Sequence, residues 1–80
     1  MSPAGGAANL SNRVREARTA LGLTQEQLGQ AVELTRQSII AIEKGRFTPS
    51  VHTALLLASA LDTTVDALFW IVDDGKDEEG

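Results

Sequence analysis

The amino-acid sequence predicts an all-α fold, a bundle of five short helices. Apolar residues recur at intervals of three and four in successive stretches, and Thr24, Thr35, Ser50 and Thr64 each stand where a helix would need an N-cap. No stretch alternates apolar with polar residues long enough to compete as a strand. Eighty residues make one domain at most.

Residues 1–9 are small and Gly-rich, without apolar periodicity, and read as a flexible arm. From Leu10 the pattern turns helical: Leu10, Val14, Ala17 and Leu21 share one face and Gly22 stops the helix, giving helix one over about 11–21. Thr24 with Gln27 three residues on forms a capping box, ahead of Leu28, Ala31 and Val32, so helix two covers about 25–31. Glu33 and Leu34 break the pattern. Thr35 caps helix three, about 36–44, with Ile39 and Ile42 inward and Gly45 past its end. Ser50 caps a helix whose residues 51–61 are so apolar that it should be covered on most sides. Thr64 caps the last, with Val65, Leu68 and Phe69 inward, and Trp70, Ile71 and Val72 carry the apolar run to an acidic end, expected to be disordered from 73 to 80. The folded unit is therefore expected at 10–72.

Composition excludes several classes. Without Cys there is neither a disulfide framework nor a thiolate metal site, as suits a reducing cytoplasm. One His, at position 52, leaves little for metal or base chemistry and is given no role. No nucleophile has a base at hand, so an enzyme is not expected, and neither is a metal or any cofactor. The longest apolar run, 54–58, is far short of the roughly 20 residues that span a membrane, and no signal peptide is recognisable. The net charge of −4 is misleading as a guide to partners. Asp73, Asp74, Asp77, Glu78 and Glu79 against Lys76 account for all of it, and residues 1–72 balance six basic against six acidic side chains.

Two short helices joined by a tight turn, the second capped by Thr35, have the spacing of a helix-turn-helix over 24–43. At about 100° per residue, Arg36, Gln37, Ile40, Ala41 and Lys44 fall on the outer arc of helix three. Arg and Gln can bond guanine and adenine edges bidentately, and the apolar members suit thymine methyls. Thr24, Gln25 and the free N–H groups at the starts of helices two and three can hold phosphates, with Arg46 as a further contact. Each residue has a plainer reading: Arg36 and Lys44 as solvated charges, Ile40 as core under a shifted phase, and Thr24 and Thr35 as caps before contacts.

Several linked runs resemble the Cro/C1-type (xenobiotic-response-element) helix-turn-helix regulators: Leu23-Thr24-Gln25-Glu26-Gln27-Leu28, then Thr35-Arg36-Gln37-Ser38-Ile39, then Ile42-Glu43-Lys44-Gly45-Arg46-Phe47-Thr48-Pro49-Ser50, and residues 61–69. The resemblance covers about residues 10–70 and implies a five-helix, lambda-repressor-like DNA-binding fold, commonly homodimeric, whose third helix enters the major groove. By position it makes Arg36, Gln37, Ile40 and Ala41 base readers, and gives Gln25, Ser38, Lys44 and Arg46 contacts to backbone or flanking bases. It also implies an ion pair of Arg18 with Glu43. Glu33 stands where the family usually has Gly, and Gly29 where it usually has Ala. A left-handed non-Gly residue costs about 1 kcal/mol, and Gly inside a helix about as much against Ala, so a less rigid turn is expected.

The expected function is sequence-specific regulation of transcription, as a repressor, by a cytoplasmic, nucleoid-associated homodimer on double-stranded DNA. The alternative is a protein-interaction module, such as an antitoxin or adaptor, docking a partner through Trp70, Ile71 and Val72. Core or dimer packing also accounts for that run.

Overall fold

The computed structural model describes residues 8–73. The chain runs β1 (Ala8–Asn12), α1 (Val14–Ala20), α2 (Gln25–Val32), α3 (Arg36–Glu43), α4 (Val51–Ala60), α5 (Val65–Leu68) and β2 (Phe69–Asp73). The five helices enclose one core, in which Val14, Leu28, Ile39, Leu57 and Leu68 are sealed from solvent with Val32, Ile42, Ala58 and Leu61. Ala17 of α1, with Leu23, Leu34, Leu56 and Phe69, packs against that core.

Local chemistry sets the helix boundaries. Thr24, Thr35, Ser50 and Thr64 each accept a backbone N–H of the following first turn, and Gln27 returns its side chain to the Thr24 N–H at 2.8 Å to complete the capping box. Four helices leave by one device. A residue in the left-handed region, Gly22, Glu33, Gly45 or Asp62, is followed by a residue whose N–H reaches back five positions, as in Leu34 to Gly29 at 2.8 Å and Arg46 to Ala41 at 2.9 Å. These are Schellman closures, which satisfy carbonyls that a helix end leaves free.

The sequence-based expectation of an all-α chain is corrected by a two-stranded antiparallel sheet. β1 pairs β2 in the register Ala8↔Asp73, Leu10↔Ile71 and Asn12↔Phe69. Leu10 therefore belongs to a strand, α1 starts at Val14 and Leu21 lies half exposed, so the four-residue apolar face expected of helix one is shared between two elements. Phe69 ends α5 after one turn with φ −131° and ψ 141°. Aromatic and β-branched side chains at 69–72 favour this extended backbone, and a partner strand satisfies it. β1 starts inside the stretch expected as an arm, and β2 takes in Asp73 from the expected acidic tail. The rest of both expectations, residues 1–7 and 74–80, lies outside the described residues. Helix four is also less covered than its composition implied: Ala54, Leu57 and Ala58 are buried, while Val51 is 77% and Leu55 57% exposed.

Gly29 has a reason of its own. A Cβ there would come within 2.6 Å of the Leu34 carbonyl oxygen, because the Schellman closure folds residues 33–35 back over α2. The small residue admits that close approach, so its helix-propensity cost is offset by a tight turn rather than adding looseness. Glu33 carries the strain instead, at φ 61° and ψ 40° with its side chain exposed. Glu33→Gly should relieve it with a net gain of up to about 1 kcal/mol. Thermal denaturation should then show a rise of several degrees, since about 1 kcal/mol moves the midpoint by roughly 4–8 °C in a domain of this size.

Candidate nucleic-acid interface

α3 lies across α2, its N-terminus fixed by Thr35, whose Oγ1 accepts the Ser38 N–H and whose hydroxyl donates to Ser38 Oγ, both at 3.1 Å. Ile39 and Ile42 seat the helix in the core. On its other side Arg36 and Gln37 are exposed, Ile40 and Ala41 half-buried, and Lys44 and Arg46 exposed just beyond the helix end. The result is a surface with polar ends and a half-buried apolar centre. Thr24 and Thr35 are exposed at the starts of α2 and α3, and Ser38 and Gln25 are half-buried.

Behind this surface Arg18 of α1 reaches the C-terminal end of α3. Its Nε donates to Glu43 Oε2 at 2.7 Å, one terminal nitrogen to Oε1 at 3.4 Å and the other to the Leu23 carbonyl at 2.9 Å. Glu43 takes a further bond from Gln25 Nε2 at 3.1 Å. The side chains of Arg18 and Glu43 are only 11% and 5% exposed. Gln25, a candidate phosphate contact, is thus bound on its amide nitrogen to α3 and keeps its carbonyl oxygen and second N–H for a ligand.

The arrangement decides the local charge. Arg36, Lys44 and Arg46 are the cations of residues 36–46, and Glu43 is the only acid there. With Glu43 neutralised by Arg18, the outward side of this segment is positive despite the net charge of the chain, which suits a polyanion.

Asn12 was not singled out in the sequence, yet it fixes this interface from below. Its Oδ1 accepts the Val14 N–H at 3.0 Å, starting α1, and its Nδ2 donates to the Ile42 carbonyl at 3.0 Å, near the end of α3. Arg13 contributes through its backbone N–H, bonded to the Leu68 carbonyl at 2.9 Å, and its guanidinium lies 5.0 Å over the Trp70 ring. An Asn two positions ahead of the first residue of α1 is the sequence signal that could have flagged this cap.

A profile of the helix-turn-helix family matches residues 14–68. The chain belongs to the Cro/C1-type helix-turn-helix regulators. It is 38% identical over 65 residues to an HTH-type transcriptional regulator of Bacillus subtilis, YgzD, covering 81% of this chain and 98% of that one. Identity reaches 48% over 63 residues with an HTH-type transcriptional regulator of Methanothermobacter thermautotrophicus, covering 78% and 91% of the two chains. Among solved structures, the restriction-modification controller protein C.AhdI of Aeromonas hydrophila superposes with a TM-score of 0.64 at 39% identity, over 68% of this chain and 82% of its own. The clp gene regulator ClgR of Corynebacterium glutamicum shares the fold at a TM-score of 0.64 and 24% identity, over 66% and 56% of the two chains. The family is one of DNA-binding regulators rather than enzymes. No helix among the described residues is long and apolar enough to cross a membrane.

Arg18→Ala should lower folding stability by about 3 kcal/mol, because it leaves a buried carboxylate with the Gln25 amide as its remaining partner. Denaturant unfolding of the two proteins checks this, and an unchanged midpoint would remove the ion pair from the list of stabilising contacts.

Proposed function

We propose that this regulator represses transcription as a homodimer, each copy laying α3 in the major groove of a half-site. One observation carries the reading: α3 buries Ile39 and Ile42 and leaves Arg36, Gln37 and Lys44 exposed on the opposite arc. Arg36 and Gln37 are the base readers, with Ile40 and Ala41 against thymine methyls. Thr24, Gln25, Thr35 and Ser38 meet phosphates at two helix starts where the partial positive charge of the peptide dipoles adds to their hydrogen bonds, and Lys44 and Arg46 extend that contact. Dimerisation supplies the length of DNA contact that one eight-residue helix lacks. The protein acts in the cytoplasm, on the nucleoid.

A second reading, a protein-interaction module of antitoxin or adaptor type, draws on the exposed Trp70, Ile71 and Val72. Salt separates the two: DNA binding through phosphates weakens steeply as salt rises, whereas docking on an apolar surface does not.

The decisive experiment is selection of bound duplexes from a random pool with purified protein. The expected outcome is a two-fold symmetric sequence with half-sites about one helical turn, roughly 34 Å, apart. Enrichment of no sequence at low salt would defeat the proposal. On the selected site, Arg36→Ala should cost about 1–3 kcal/mol and relax preference at one base pair. Equal losses on selected and random DNA would assign Arg36 to phosphate.

A further inference from the structure

We propose that Asn12 is a positioning residue for DNA reading: through it β1 grips the last turn of α3, and the ribbon becomes part of what sets that helix in the groove. The proposal rests on the reading of α3 as the helix that enters the major groove, and it names a residue on which the accuracy of that entry depends.

The ribbon adds little to the core. Among the described residues every buried apolar side chain lies between Val14 and Leu68, and of the two strands Phe69 alone packs against that core. A two-stranded ribbon is marginal in water by itself. What β1 contributes instead is a side-chain bond to α3 from a residue 30 positions away in the chain. Asn12 stands opposite Phe69 in the register, so it shares the ribbon face that turns to the helices. One residue on, the Arg13 N–H closes the base of the ribbon on the Leu68 carbonyl at 2.9 Å. The donor is thus held in place by an apolar contact across the ribbon and by a backbone bond beside it.

The acceptor points the same way. The Ile42 carbonyl takes the Gly45 N–H at 3.0 Å as well as the Asn12 amide, and the Arg46 N–H reaches back to Ala41 at 2.9 Å. Asn12 therefore bonds the carbonyl around which the chain leaves α3, and Lys44 and Arg46 stand on that turn. The next residue, Glu43, is held by Arg18 through its side chain. One grip leaves a helix a pivot. A second grip, on the backbone of the adjacent residue and from a different element, removes it. Paired hydrogen bonds to a base edge need that fixity, whereas attraction to a phosphate falls off slowly with distance and survives a small shift.

The carboxamide has two bonds, and one substitution in the full chain separates them. Asn12→Ser keeps an oxygen that can accept the Val14 N–H and start α1, but ends short of the Ile42 carbonyl. Without the tether α3 leaves its reading position part of the time, and binding must restore it, so affinity for the selected duplex should fall about three- to tenfold. Affinity for random duplex, and the steepness of its salt dependence, should stay within about twofold, because no phosphate contact is lost. A merely weakened fold would lower both affinities by one factor. Linkage gives a second measurement that needs no variant. If opening the ribbon displaces α3, saturating the wild-type protein with the selected duplex should slow hydrogen exchange of the β1 amides at least about twofold, and random duplex should not. Selected and random affinities that fall together in Asn12→Ser, or that both hold, would overturn the role of Asn12. So would wild-type β1 amides that exchange equally fast with and without the selected duplex, and each of these results leaves α3 as the reading helix. A wild-type protein that selects no duplex would overturn that reading, and the role of Asn12 with it.

Discussion

The Arg18 to Glu43 pair is the constraint on which the placement of α3 depends. Arg18 alone joins α1 to the Leu23 carbonyl ahead of α2 and to the last residue of α3, and Glu43 passes the connection on to Gln25 at the first residue of α2. Taking both charges out of water is costly, and the cost is recovered only when their hydrogen-bonding capacity is filled. Here Leu23 and Gln25 provide the extra partners, so the pair tolerates little displacement of any of the three helices. Apolar packing by Ile39 and Ile42 is less directional and sets the depth of α3 more than its rotation.

The same pair reconciles an acidic protein with a polyanionic partner. An unpaired carboxylate at Glu43 would sit between the cations of α3 and its following turn. Held by Arg18, it leaves Arg36, Lys44 and Arg46 to set the potential of the outward side. One residue pair thus has two effects: the contact that orients the helix also clears its field.

Much of this was legible in the sequence because it is written in local chemistry. Thr24, Thr35, Ser50 and Thr64 start helices by accepting N–H groups a few residues on, and Gly22 and Gly45 end them through a conformation that Gly adopts freely. The phase of α3 follows from Ile39 and Ile42, and it places the arginine and glutamine of that helix outward. The ribbon was not legible. Its two strands are some sixty residues apart, Ala8–Asn12 has no alternating pattern, and the apolar run at 69–72 continues a helical one without a break. The role of Gly29 was hidden for a related reason: propensity describes the helix it interrupts, not the carbonyl of Leu34 that folds back onto it.

Asn12 lies two positions before the first residue matched by the family profile, at 14. A chain trimmed to the matched segment would retain every helix, yet the leading N–H of α1 would lose its partner to solvent, the Ile42 carbonyl would keep the Gly45 N–H alone, and both strands of the ribbon would be gone. The autonomous folding unit is therefore longer than the recognisable motif. Deletion boundaries for this protein belong upstream of the ribbon, not at the edge of similarity.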